Sequence, residues 1–173
     1  MSTSIAQVPY HIVPIHSAFL QLLREAGVDD QAQTAEHHIA TGGEPCRDVL
    51  RRAQPGERIM LASYTPFTRP GPYKEFGPIF VMADGAEEPS QPLPQSLNAL
   101  TTCGYLRDTF VLRAYDAQDR IVDGVVVQAD SAEHTLQDML RRETVRYVLV
   151  RFAGYGCYAC RIEAGAALQT LVH

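Results

Sequence analysis

Two runs of alternating side chains, Asp108 to Tyr115 and Ile121 to Gln128, flank a polar connector, Asp116 to Arg120, and this spacing constrains the fold more than any other feature. A connector of that length closes a hairpin, so the two runs pair antiparallel. In the first run Phe110, Leu112 and Ala114 alternate with Val111, Arg113 and Tyr115, the pattern of a sheet with one drier face.

Further strands are expected at Arg58 to Tyr64, Gly77 to Met82 and Arg146 to Phe152. A first helix runs from Ser17, a suitable N-cap, through Phe19, Leu20, Leu22, Leu23 and Ala26 to a stop at Gly27. Gln33 to Ile39 reads as either a short helix or a strand. Pro45 fits the first turn of a second helix over Cys46 to Ala53, which places Cys46, Val49, Leu50 and Ala53 on one apolar face and turns Arg47, Arg51 and Arg52 elsewhere. Ser131 caps a helix ending near Arg142. Asp84 to Asn98, broken by Pro89, Pro92 and Pro94, reads as a surface loop with at most one helical turn. Hairpin-clustered strands with helices between them predict an α+β domain: a mainly antiparallel sheet, three to four helices, and a single compact domain over 15–173 behind an N-terminal arm at 1–14.

At 173 residues such a domain buries roughly two-thirds of its unfolded surface without staples. A net charge of -5 argues against nucleic acid as a partner. No stretch approaches the roughly 18 apolar residues of a membrane span, and Pro9, Pro14, His11 and His16 interrupt the N-terminal apolar run, so neither a membrane anchor nor a signal peptide is expected. The expected compartment is the cytoplasm, where the four cysteines stay reduced. Oligomeric state is not legible. Positive charge rests on fourteen arginines and one lysine, Lys74; arginine is the side chain suited to gripping carboxylate or phosphate, although coding bias explains the same excess.

Two cysteine motifs stand apart, GEPCR at 43–47 and GYGCYACR at 154–161. Cys46 beside Arg47 in a first helical turn would have a lowered thiol pKa and serve as a nucleophile; on the apolar face of the same helix it would be inert filling. Cys157 and Cys160 have the CxxC spacing of redox dithiols and zinc knuckles, with Arg161 following and Gly154 and Gly156 preceding. A closed zinc site would need Cys46, Cys103 or a distant histidine as well. Glu36, His37 and His38 are types suited to acid-base or metal chemistry, but adjacent histidines cannot share one helical face, so they read, like Asp29, Asp30, Glu87 and Glu88, as solvated surface. The proline-rich span from Pro66 to Pro78 reads as a stiff loop on which Tyr64, Tyr73 and Glu75 either line a pocket or pack the loop.

PCR at 45–47, SYTPF at 63–67, PYKEFGPIFV at 72–81, LRAYD at 112–116, IVDG at 121–124, and YVLVR followed by GYGCYACR resemble, in this order, a bacterial family known as domain of unknown function number 1203. The resemblance implies no activity and no catalytic residues. It also marks departures: Val49 and Met82 stand where the family pattern has a second cysteine and a histidine, so a cluster built from that set is incomplete here.

Three classes remain. The first is a small enzyme acting on an anionic small molecule, with Cys46, Arg47, Cys157 and Cys160 in catalysis and Arg151 and Arg161 holding the substrate alongside Tyr64, Tyr73 and Glu75. The second is a non-catalytic module binding a small acidic ligand or a protein segment. The third is a protein organised by a structural zinc on Cys46, Cys157 and Cys160. No cofactor is assigned, and the Cys46 and Cys157 to Arg161 motifs are expected to converge.

Overall fold

The computed structural model describes residues 6–85 and 92–165. Two mostly antiparallel sheets and three helices make a mixed α+β architecture. The first sheet has the order β1 (Tyr10–Val13), β10 (Tyr158–Ala164), β9 (Tyr147–Phe152), β7 (Thr109–Tyr115) and β8 (Ile121–Gln128). The second has the order β2 (Glu36–Ile39), β5 (Arg58–Tyr64), β6 (Gly77–Met82), β3 (Pro45–Cys46) and β4 (Arg51–Arg52), with β3 parallel to β6. The helices are α1 (Ser17–Ala26), α2 (Leu97–Thr102) and α3 (Ala129–Leu140). None is long and apolar enough to cross a membrane.

The β7–β8 hairpin forms as its spacing predicts. Asp116 Oδ1 accepts from the amides of Gln118 and Arg120 and so fixes the turn. Phe110, Leu112 and Ala114 of β7 join Val148 and Val150 of β9 under Leu136, Met139 and Leu140 of α3. The opposite face carries Tyr115, Tyr147, Leu149 and Tyr158, which meet Met60, Ala62, Ile79 and Val81 of the second sheet and Phe19 and Leu23 of α1. Strand β9 is therefore covered on both sides, and the sheets face each other across one apolar cluster.

Several local expectations are corrected. The α1 N-cap is His16, with no side-chain cap bond, and Ser17 is the first helical residue; Gly27 stops the helix in the left-handed conformation as expected. The helix over Cys46 to Ala53 does not form. Cys46 pairs with Phe80, the Arg47 amide bonds to Phe80 O, and Leu50 takes φ +49° to close a β3–β4 hairpin. So short a helix is marginal alone, and the edge of β6 offers better partners. Helix α3 starts at Ala129, with Gln128 in the cap position, and Ser131 only donates its hydroxyl to Gln128 O. The cap that works is Ser96, which accepts from the Ala99 amide and opens α2 inside the stretch expected to be loop. Part of the expected arm is β1, paired with β10, a strand missing from the sequence reading. Glu87, Glu88 and Pro89 lie outside the described residues, as does the polar start of the arm.

Candidate functional site

Chemistry-bearing residues gather in a cleft of about 920 Å³ between the two sheets. One wall is the β9–β10 hairpin from Arg151 to Tyr158; the other comprises the Thr41 to Arg47 loop, the ends of β5 and β6, and the residues before β6. Four arginines line it, Arg47, Arg52, Arg107 and Arg151, against two glutamates, Glu44 and Glu75.

Arg47 is buried, an unusual place for a charge unless it is held. Its Nε donates to Tyr158 O at 2.8 Å and its Nη1 to Pro45 O at 2.5 Å, and its guanidinium carbon lies 5.1 Å from the centre of the Phe152 ring. The first bond ties the GEPCR motif directly to the GYGCYACR motif. Arg52 donates to Gly104 O, Gly43 O and Tyr105 O and lies 5.6 Å from the same ring. Burial, and then the positive charge of Arg107 and Arg47, push the Arg52 guanidinium below its ordinary range. Arg107 is exposed, with Nη2 4.0 Å from where a Cβ on Gly43 would stand. Among the described residues none of these three arginines pairs with a carboxylate; every partner of Arg47 and Arg52 is a neutral carbonyl. The carbonyls fix geometry and leave the charge in place.

The fourth arginine, Arg151, does have a carboxylate partner. Glu75, 42% exposed, is shared between Arg151, whose side chain is only 7% exposed, and Arg113 at 3.5 Å. Arg151 Nη1 also donates to Gly156 O at 2.8 Å, and its buried Nε has no partner. Burial lowers the Arg151 pKa. Gly156, at φ +71°, lets the hairpin turn tightly, and Tyr155 stands at its tip 96% exposed. Glu44 is occupied: it accepts from the Thr41 amide and hydroxyl and from the Gly42 amide, and these bonds lower its pKa despite the opposing effect of desolvation. The Gly42 and Gly43 amides are thereby used, Gly43 N donating to Ala53 O, so this glycine pair is not a phosphate nest.

Of the residues expected from sequence, Arg47, Tyr64, Glu75, Arg151 and Cys157 meet in this cleft. Tyr64 is buried between Phe19 and Tyr158, and burial lifts its phenol to about 12. Cys46, Cys160, Tyr73 and Arg161 lie outside the wall. Cys46 is buried among Ala40, Ala53 and Ile59. Cys160 packs under α2 and α3, turned inward beside Ala159 by the bulge that shifts the β9–β10 register. Burial pushes both thiols up to about 12. Arg161 stacks 3.6 Å from the centre of the Tyr147 ring and pairs with Glu163 at 2.7 Å. All four cysteines are free, and among the described residues no three His, Cys, Asp or Glu side chains gather to hold a metal ion.

The sequence reading missed Arg52, Arg107 and Phe152. Arg52 was turned away by the helix that does not form, Arg107 belongs to no motif, and the excess of arginine in an acidic chain was the one signal available. Asp29, expected on the surface, is buried and accepts from the amides of Gln31 and Gln33.

A family model described as "Protein of unknown function (DUF1203)" matches residues 43–164. The chain belongs to the DUF1203 family. No curated protein and no solved structure gives a match. The DUF1203 segment opens at Gly43 in the cleft wall and closes at the end of β10, so it contains all four arginines of the cleft but not α1, β1 or β2.

Proposed function

We propose that this DUF1203 protein binds a small organic anion in the cleft between its sheets. The observation carrying the reading is the trio Arg47, Arg52 and Arg107, three guanidinium charges with no carboxylate partner among the described residues. Three like charges held together repel one another, and an incoming anion relieves that repulsion. Arginine also supplies several donors to one oxyanion. Carbonyl bonds keep Arg47 and Arg52 in place before any ligand arrives, which lowers the ordering cost of binding. The setting is the bacterial cytoplasm, in keeping with four free thiols.

A thermal-shift series tests the reading. Millimolar phosphate, benzoate and succinate, compared with chloride at equal ionic strength, are expected to raise the melting temperature at least for one anion, and Arg47→Gln is expected to abolish the rise. Identical melting temperatures in all four salts contradict it.

A second reading, an enzyme, draws on one observation: Cys157 is half-buried and lines the same cleft. Its thiolate would displace a leaving group from an anionic substrate held by the arginines, the thiol proton passing to water, since no histidine lines the wall among the described residues. Anion-protected alkylation of Cys157 at neutral pH favours this reading; labelling slower than that of exposed Cys103 and indifferent to anions removes it.

A further inference from the structure

The arginines of the cleft differ in whether a carboxylate compensates them, and this difference restricts the anion. Among the described residues Arg47, Arg52 and Arg107 have no carboxylate partner, whereas Arg151 pairs with Glu75; Glu44, whose neighbours Gly43 and Pro45 give their carbonyls to Arg52 and Arg47, stands beside the trio with its carboxylate turned to Thr41 and Gly42. A dicarboxylate separates its two charges and so does not concentrate them on the three guanidinium groups that lack a carboxylate. A monocarboxylate would leave most of the trio unneutralised. A group that concentrates close to two negative charges and three acceptor oxygens in one place fits the trio, and phosphate monoesters do so above a second pKa of about 6.

The remaining wall suits an uncharged body. Tyr155, 96% exposed, and Phe76, 44% exposed with the Lys74 ammonium 5.5 Å from its ring centre, both present aromatic surface to the cleft, which Pro66 and Pro78 also line. An aromatic ring on a cavity wall offers apolar area and a stacking face to a flat ligand. We infer that the ligand is a phosphate monoester of an uncharged, flat alcohol, its phosphoryl group at Arg47, Arg52 and Arg107 and its body against Phe76 and Tyr155. This rests on the anion-binding reading above and narrows it.

Calorimetric titration of the full chain with phenyl phosphate, inorganic phosphate, benzoate and succinate tests the inference. Phenyl phosphate is expected to bind at least tenfold tighter than benzoate or succinate at pH 7, and to weaken several-fold at pH 5 as its second proton returns. Arg107→Gln, at an exposed position, should remove most of that preference while the protein stays folded. Tyr155→Ala should bring phenyl phosphate down to the affinity of inorganic phosphate and leave the latter unchanged. Benzoate or succinate binding as tightly as phenyl phosphate overturns the phosphoryl assignment and leaves the anion reading standing. Phenyl phosphate insensitive to Tyr155→Ala overturns the aromatic part, and no heat with any anion overturns both inferences.

Discussion

Burial lifts the Cys46 and Cys160 thiols to about 12, so at neutral pH neither is a thiolate, despite Arg47 standing beside the first. In alkylation from pH 5 to 9 read by mass spectrometry, Cys103 is expected to label in the native protein, and Cys46 and Cys160 only after unfolding; native labelling of Cys46 at the rate of Cys103 contradicts this. The same shifts have a consequence for stability. A thiol whose folded pKa exceeds its ordinary value near 9.0 favours the fold fully below that value, and its contribution is lost as pH rises towards 12. Buried Tyr64, Tyr105 and Tyr158 are shifted in the same direction and add to the loss. The urea midpoint is expected to fall steadily above about pH 9, with a shallower fall in a Cys46→Ala, Cys160→Ala variant. A midpoint flat to pH 11 would rule out buried, neutral thiols.

The β3–β4 hairpin decides where the arginine trio stands, and one carboxylate anchors it. Asp48, its side chain 4% exposed, accepts from the Met82 amide and pairs with Arg24 of α1 at 2.6 Å, clamping the hairpin turn between β6 and α1. Asp48→Ala takes the acceptor from the Met82 amide and the carboxylate from Arg24, which keeps only its bonds to Met82 O, and is expected to cost about 3 kcal/mol, or roughly 6–12 °C of melting temperature. A change under 2 °C in differential scanning calorimetry contradicts the clamp. This element was also where sequence reasoning failed. Cys46, Val49, Leu50 and Ala53 have helical spacing, yet a segment this short is governed by what it docks against, and nothing local signals the parallel pairing of Cys46 with Phe80. Strand β10 was missed for a related reason: the bulge at Tyr158 to Cys160 turns Ala159 and Cys160 to the same face and breaks the alternation by which a strand is recognised. Strand β7 was legible from its alternation and the Asp116 turn that follows it, and β9 from a short continuous apolar run, as expected of a strand covered on both sides.

Across the whole molecule, the class and the antiparallel pairing followed from the sequence, whereas the division into two sheets did not, because period-2 alternation names a strand's faces and not its sheet. The division matters for function: only two facing sheets leave a cleft into which the β9–β10 turn and the β3–β4 hairpin both project. The two cysteine motifs touch through Arg47 Nε and Tyr158 O, while Cys46, expected at the meeting point, is buried away from the cleft. The most direct measurement is therefore a nitrogen-15 NMR titration of the arginine side chains with inorganic phosphate at constant ionic strength. The Nε–H groups of Arg47 and Arg52, each bonded to a carbonyl, are slow to exchange and serve as reporters. Saturable shifts of these two resonances, with those of Arg161 and Arg58 unmoved, are what an anion site in this cleft predicts. Shifts that are uniform over all arginines, or absent at Arg47 and Arg52, would contradict it.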